Sequence, residues 1–544
     1  MDKIRNLLQD IVNSFGIKDE IEIKVERPRA DEHGHYSTNL PFNLSKYLKK
    51  SPIDVAKDIA SKLDRLPPFL ERVEIKKPGF INFFLSREEL SKNVIEAVEK
   101  GEDYGKTKIG ACKRAQVEFV SANPTGPLTV GHGRQAVLGD TIARILEFHG
   151  YKVDREYYYN DAGRQMRILG YSTYMRYRQI LGIEEEFHKD YYQGEYIVDI
   201  AKRIYEEYGD FLKDDKDNPI FIQMAEKWVF EDIKNTLKRL DIEFDSFYNE
   251  KSLYEKGLVD SVINRLKGIG AVYEKDGALW FKAGEYGGTG DKVLWKSVVD
   301  EATYRLPDIA YHETKIKRGY DLIIDIFGAD HHATYPDVLA GLKALGYSTD
   351  NIVVLLHQFV TLVEGDKKIK MSTRKATYVT LSELLDELGK DVVRYFFLMR
   401  SMNAHLNFDL KLARTEGEEN PVYYLQYAHA RIASILRNAK LRGFDIDKID
   451  VDLSLLSEEE TLRLMNMIGE YKDIMQVCMR TYEPHHLTVY LQKLATEFHR
   501  YYTIYRVLSD DKELSQTRLL LVKAVKNVLK SGLGVLGISA PEKM

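Results

Sequence analysis

Cysteine is nearly absent from this 544-residue chain. Cys112 and Cys478 are the only two, and they lie far apart. With no C-x-x-C pair there are no ligands for a cysteine-built zinc site and no framework for a disulfide scaffold. Such scarcity fits a reducing, cytoplasmic setting. Long hydrophobic runs are lacking too, and none approaches the roughly 18 residues of a membrane span. Nor is there an excess of positive charge: 79 Lys and Arg face 84 Asp and Glu, a formal net charge of -5. A protein that coats nucleic acid indiscriminately is usually strongly basic, so any nucleic-acid surface here is local. The opening stretch "MDKIRNLLQDIVNSF" does not read as a signal peptide. Ile4, Leu7, Leu8, Ile11, Val12 and Phe15 recur at helical spacing, as in the first helix of a folded domain.

What is present supports several cores. Hydrophobic residues make up 44% and charged residues 30%, enough for three or four domains at about 100–200 residues each. Residues 1–110 read as a small α+β module: an opening helix, strand-like "EIEIKVE" (20–26) and "VEIKKPGFINFFL" (73–85), and a helical stretch between them. "KGEDYGKTKIGACKRA" (100–115) reads as a linker. "QVEFV" (116–120), a helix ending at Gly150 and "YKVDREYYYN" (151–160) then make a strand–helix–strand unit, which implies a parallel sheet. A second set follows at "YDLIIDIF" (320–327), a helix to Gly346 and "NIVVLLH" (351–357). The expected fold is therefore α/β: a doubly wound, Rossmann-like parallel sheet over 111–410, with an insertion at about 165–300. An all-α helical bundle is expected over 411–544. Ligands of such a sheet sit beyond the carboxyl ends of its strands.

Two stretches carry chemistry. "SANPTGPLTVGHGR" (121–134) lies where a strand hands over to a helix. Helix N-termini leave amide hydrogens unpaired and attract phosphates. Gly131 and Gly133 would let a nucleotide approach the backbone, and His132 can donate to a phosphate or ribose. The plainer alternative is a structural loop with an incidental histidine. "KKIKMSTRKATYVT" (367–380) is a cationic loop suited to a polyphosphate leaving group, or else a solvated basic loop. Thr380-x-x-Glu383 after it reads as a capping box. The glycine-rich "GEYGGTG" (284–290) lacks the G-K-[ST] ending of a phosphate-binding loop and is expected as a turn between strands. The adjacent pairs His331–His332 and His485–His486 cannot form an i, i+4 metal clamp, and no protein metal site is expected.

Together the two stretches say more. "TVGH" (129–132) resembles the HIGH signature of class I aminoacyl-tRNA synthetases, and "KMSTR" (370–374) resembles their KMSKS signature. With "VEFVSANPTGPLTVGHGR" (117–134), "YNDAGRQ" (159–165), "ATYRLPDIAYHETK" (302–315), "GADHH" (328–332), "KMSTRKA" (370–376) and "NPVYYLQYAHARI" (420–432), the chain is similar to the arginyl-tRNA synthetase family. "PRADEHGHYSTNLPF" (28–42) and the closing "LGISAPEKM" (536–544) extend the likeness over essentially the whole length. One departure stands out: the first histidine of the HIGH signature is Thr129 here, which keeps a hydroxyl but loses the imidazole's reach.

The resemblance implies an enzyme that joins L-arginine to ATP's α-phosphate, releases pyrophosphate, and passes the arginyl group to the terminal adenosine of its tRNA. It places the arginine pocket at Glu118, Asn123, Tyr304 and Asp308. Glu118 and Asp308 would face the guanidinium, Tyr304 would pack on it or bond to it, and Asn123 would hold the α end. This fits the chemistry: a planar cation with five N–H donors is best met by carboxylates. ATP would lie on Thr129, Gly131, His132, Asp330, His331, Lys370, Met371 and Ser372, with His132 and Lys370 catalytic and Mg2+ bridging the phosphates. The helical domain would bind the anticodon through Tyr423, Tyr427 and Arg431. The N-terminal module would touch the outer corner of tRNA through Tyr36 and Asn39. A monomer free of membrane is implied. Two rivals stand beside this reading: a class I synthetase for another amino acid such as cysteine, and a synthetase-like RNA-binding protein without catalysis. The lack of zinc-ligand cysteines opposes the first, and the presence of His132, Glu118, Asp308 and Lys370 the second.

Overall fold

The computed structural model describes residues 1–544 apart from Lys18, Arg29, Asp64, Glu184, 297–300, Asp366 and 370–378. Lys370, Met371 and Ser372 therefore lie outside the described residues.

Five parallel strands form the central sheet: β1 (Arg114–Glu118), β2 (Lys152–Tyr159), β3 (Ser246–Asn249), β4 (Leu322–Gly328) and β5 (Ile352–His357). Their spatial order is β5-β4-β1-β2-β3, and every pairing is parallel. The near-continuous apolar run of β4, with Ile323, Ile324 and Ile326 fully buried, is what a strand covered on both faces requires. The chain leaves β1 toward β2 on one side, while β4 lies on the other. The crevice at the carboxyl ends of β1 and β4 is thus the topological switch point, where such sheets bind ligands. β3 falls inside the stretch expected as an insertion. Three helices (Gly163–Ile180, Glu195–Tyr208 and Ile220–Arg239) precede it, and a four-stranded antiparallel sheet over 272–302 follows.

Helix α1 (Val130–Phe148) joins β1 to β2 and is buried continuously from Gly133 to Ala143. A helix covered all round must satisfy its polar groups internally. Arg134 donates to the carbonyls of Gln358, Ser401 and Ala404. Asp140 pairs at 2.7 Å with the fully buried Arg394 of α3 (Leu381–Leu398). Arg394 also donates to the carbonyls of Leu240 and Leu536, so one guanidinium ties the sheet domain to the chain's C-terminal turn. Removing either partner of such a pair strands a buried charge, at about 3–5 kcal/mol. Gly133 packs here too: an added Cβ would stand 2.6 Å from Leu381 and 3.0 Å from Phe397. Its lack of a side chain serves α1–α3 packing, not the approach of a nucleotide.

The N-terminal module has a helix (Asp2–Ser14), a four-stranded sheet and three further α-helices (Leu40–Leu48, Pro52–Ser61 and Arg87–Lys100). The stretch expected as one strand over 73–85 is a hairpin of Leu70–Lys76 and Phe80–Leu85, because Pro78 and Gly79 break it. The strand expected over 20–26 shortens to Val25–Glu26. Four long helices, Pro421–Leu441, Glu459–Thr481, His485–Ile504 and Lys512–Val535, make the C-terminal bundle.

Candidate active site

At the switch point, α1 begins with a reciprocal cap. Thr129 is the N-cap residue; its hydroxyl accepts from the His132 N–H, and His132 Nδ1 accepts from the Thr129 N–H at 3.2 Å. A ring nitrogen that accepts carries no proton, so the neutral ring keeps its hydrogen on Nε2. Burial lowers the His132 pKa to about 4, which fixes that neutral form near pH 7. The ring is thereby a single aimed donor beside the unpaired amides of the helix start. The hydroxyl of Thr129 is engaged in the cap, which gives this position a role that needs no imidazole. Gly131 faces open space apart from the Thr129 hydroxyl. Asp330 and His331 lie exposed just past β4, with His331 stacked on Phe327 at 5.2 Å. His357, at the end of β5 beside Gly328, is a further member that the sequence did not suggest. Burial, with Arg134 nearby, lowers its pKa to about 4, and the charges of His132 and Asp330 also act on it.

The basic loop expected to face this helix start is flanked by described residues. The Leu381 N–H donates to the Leu128 carbonyl at 2.8 Å, and Thr129 and Thr380 form a β-bridge. The chain therefore resumes after 370–378 directly against the α1 cap. The predicted capping box at Thr380 and Glu383 is present.

Across the β1 end lies a cleft of about 1330 Å³, lined by Asn123, Asn160, Gln165, Glu250, Tyr304 and Pro307 among others. Its volume exceeds the ~300–1,000 Å³ of a small-molecule pocket. Asn123 accepts the Asn160 N–H at 3.1 Å and donates to Gln165 at 2.9 Å. Tyr304, 72% exposed, stands at the N-terminus of α2 (Arg305–Lys317). Asp308 sits one turn further on. Its neighbours Tyr304 and Pro307 line the cleft, and Asp308 itself is half-buried, with protein around its carboxyl. Burial pushes the pKa up to about 7; His312 and Lys315 pull it down, while Glu250 and Glu118 add to the rise.

The resemblance places Glu118 against the guanidinium; in the structure both of its carboxylate oxygens are already engaged from within the protein. Glu118 is 2% exposed, its Oε2 accepts from buried Lys315, and its Oε1 accepts from Ser121 Oγ at 2.8 Å. Alternation along β1 turns Gln116 and Glu118 to one face, and the cation that claims Glu118 comes from 197 residues away. Glu250, just past β3, is an acid that lines the cleft. It accepts from Tyr158 at 2.8 Å and Asn160 at 2.7 Å, and desolvation raises its pKa. The available signal was a short aromatic run, "DSFYNE" (245–250), too brief for periodicity to identify. No group of three or more His, Cys, Asp or Glu among the described residues could hold a metal ion.

Of the residues expected to meet tRNA, Tyr36 is buried. Its hydroxyl donates to Asp473 at 2.6 Å, and Arg27 bonds to both. It fastens the N-terminal module to the helical bundle and has no surface to offer RNA. Asn39 stands at the N-cap position of the helix Leu40–Leu48, makes no side-chain cap bond there and is half-buried. Tyr423, Tyr427 and Arg431 do come together. The two rings stack at 6.4 Å, and Arg431 lies 5.0 Å from the Tyr427 ring and 4.9 Å from that of Tyr502. Tyr427, Arg431 and Tyr502 border a groove of about 380 Å³.

Comparison with known proteins agrees with this architecture. Residues 93–399 match the family described as tRNA synthetases class I (R), catalytic domain. Residues 2–85 match the arginyl tRNA synthetase N terminal domain, and 425–544 the DALR anticodon binding domain. The arginine–tRNA ligase of Salinibacter ruber is 47% identical over the whole of both chains. That of Thermotoga maritima is 44% identical over 99% of each. The arginyl-tRNA synthetase structure from Thermus thermophilus, 23% identical, shares the fold with a TM-score of 0.81 over all of both chains. The chain belongs to the arginyl-tRNA synthetase family of class I tRNA synthetases.

Proposed function

We infer that this chain is an arginine–tRNA ligase in which Asp308 and Glu250, two desolvated carboxyls that act on each other, select the guanidinium. The observation that carries this is Asp308: a carboxyl with no hydrogen-bond partner among the described residues, surrounded by protein, with its pKa pushed up to about 7. Such a group is costly alone and favourable once a bidentate cation meets it. Tyr304 closes over the guanidinium, and Asn123 holds the α end. The arginine carboxylate is already a nucleophile, so no side chain removes a proton. Its oxygen bonds to the α-phosphorus of ATP, the bond to the bridging oxygen breaks, and pyrophosphate leaves. Catalysis then rests on alignment and charge stabilisation. His132 Nε2–H and the α1 amides hold the phosphates, and Lys370 meets the charge that builds on pyrophosphate. Asp330 and His331 border the nucleoside. Among the described residues no cluster would hold Mg2+, so it would be supplied with ATP and would offset phosphate charge.

Arg164, Arg167, Tyr254 and Trp295 line the outer part of the cleft and suit a single-stranded tRNA 3′ end, whose terminal adenosine takes the arginyl group. The Tyr423–Tyr427–Arg431 ladder stacks anticodon bases. The enzyme works as a monomer, since one chain supplies both cleft and groove, and in the cytoplasm, where its substrates lie. Arginine-dependent exchange of pyrophosphate into ATP, run with and without tRNA, tests the reading. Exchange that needs arginine is expected in at least one condition. No exchange in either, with tRNA still bound, would make this an RNA-binding protein without catalysis.

A further inference from the structure

The turn that ends β1 is strained. Val120, at φ 68°, and Ser121, at φ 42°, both lie in the left-handed region. The Ser121 N–H donates to the Phe119 carbonyl at 3.0 Å, closing a three-residue γ-turn centred on a buried valine. A β-branched residue there is an outlier, and γ-turns of this hand are rare. Strain of this kind persists only where surrounding contacts over-determine it. Three such contacts come from the end of β2. Ser121 Oγ accepts the Tyr158 N–H at 3.1 Å, Tyr157 OH donates to the Ala122 carbonyl at 2.8 Å, and Asn123 accepts the Asn160 N–H. A fourth rises from below, where Ser121 Oγ donates to Glu118, whose other oxygen accepts from Lys315.

Lys315 is fully buried. Its ammonium is shared between Glu118 and Asp325 and lies 4.4 Å from the centre of the Tyr311 ring. His312 completes the cluster. Its Nδ1 faces the Asp308 carbonyl at 2.8 Å and its Nε2 faces Asp325 at 3.1 Å. Arginine activation as set out above gives Lys315 and Asp325 no part. A cation buried this deeply and this fully paired is a costly way to fill a core, since apolar residues of similar volume often do as well or better.

We propose that Lys315 is a positioning residue for the amino-acid site: through Glu118 and Ser121 it holds the strained Val120–Ser121 turn and so sets where Asn123 meets the α end of arginine. The ATP side, built on the α1 cap and the ends of β4 and β5, does not hang from this chain of contacts. The two substrates therefore respond differently when the chain is cut. The proposal rests on the cleft being arginine's site, and the native enzyme's arginine-dependent exchange checks that separately.

The test is the Michaelis constant for each substrate in Ser121→Ala, Lys315→Gln and the double variant. Ser121→Ala removes the link without disturbing a buried charge, so it decides the matter even if Lys315→Gln fails to fold. The expected result is a rise in the arginine KM of about tenfold in each single variant, with the ATP KM within about twofold, because small misplacements of a bound group are expensive. The double variant should be no worse than the worse single one, since both cut one chain. An unchanged arginine KM in Ser121→Ala, or equal rises for arginine and ATP, would overturn the proposal. If the native enzyme shows no arginine-dependent exchange, the reading of the cleft falls, and this proposal with it.

Discussion

In the cleft, Asp308 and Glu250 stand desolvated on a floor of buried, hydrogen-bonded groups. On the helical bundle, Tyr427, Arg431 and Tyr502 line a groove, with Tyr423 stacked on Tyr427. The cleft holds few groups, each with its charge withheld from water, so each counts heavily. In the proposed function the groove spreads its binding over several rings, each worth ~1–3 kcal/mol against a base. A site that must tell arginine from lysine needs the first arrangement. A site that must grip unpaired bases can use the second.

Substitutions sharpen this contrast. Asp308→Asn should lower kcat/KM for arginine by about a hundredfold or more, since removing one partner of a desolvated charge pair costs ~2–5 kcal/mol. Steady-state kinetics at varied arginine measures it, and a loss under threefold would break the contrast. His132→Ala should cut the exchange rate by about a hundredfold, as losing one aimed donor does. Arginine affinity, read by calorimetry, should stay nearly unchanged. Glu250→Gln keeps one carbonyl acceptor, so its arginine KM should rise only about tenfold.

On the bundle the effects should be smaller and fall on tRNA alone. Tyr427→Ala should raise the tRNA KM about tenfold with arginine kinetics intact. Arg431→Ala should raise it only about threefold, because an exposed cation–π contact is worth ~0.5–1 kcal/mol. A tRNA effect of Arg431→Ala as large as the arginine effect of Asp308→Asn would collapse the distinction between the two regions.

The sequence announced some of these residues and hid others, for physical reasons. β4 and β5 were legible because parallel strands buried on both faces read as unbroken apolar runs. The α1 start was legible because strand, glycine-rich turn and helix follow one another within 20 residues. β3 is four residues long and carries no usable period, so the Glu250 that follows it passed unnoticed. Glu118 was placed in the pocket because its motif lies there; its true neighbour, Lys315, is set by the packing of α2 beneath β1. Tyr36 is similar in that its partner, Asp473, comes from another domain. For Glu118 and Tyr36 the local residue type was legible, and what was missing was a partner 197 and 437 positions away.

The claim that a desolvated Asp308 selects the guanidinium is tested most directly by the pH dependence of kcat/KM for arginine, native against Asp308→Asn. With its pKa raised to about 7, Asp308 is mostly protonated below that pH, and only the ionised form pairs with the cation. Binding of arginine must then expel the proton, so kcat/KM should fall about tenfold per pH unit below 7 and level off above it. His132 and His357, both lowered to about 4, add no limb between pH 5 and 8. In Asp308→Asn the limb near 7 should vanish. A native profile flat from pH 5.5 to 8, or a limb that survives in the variant, would contradict the account.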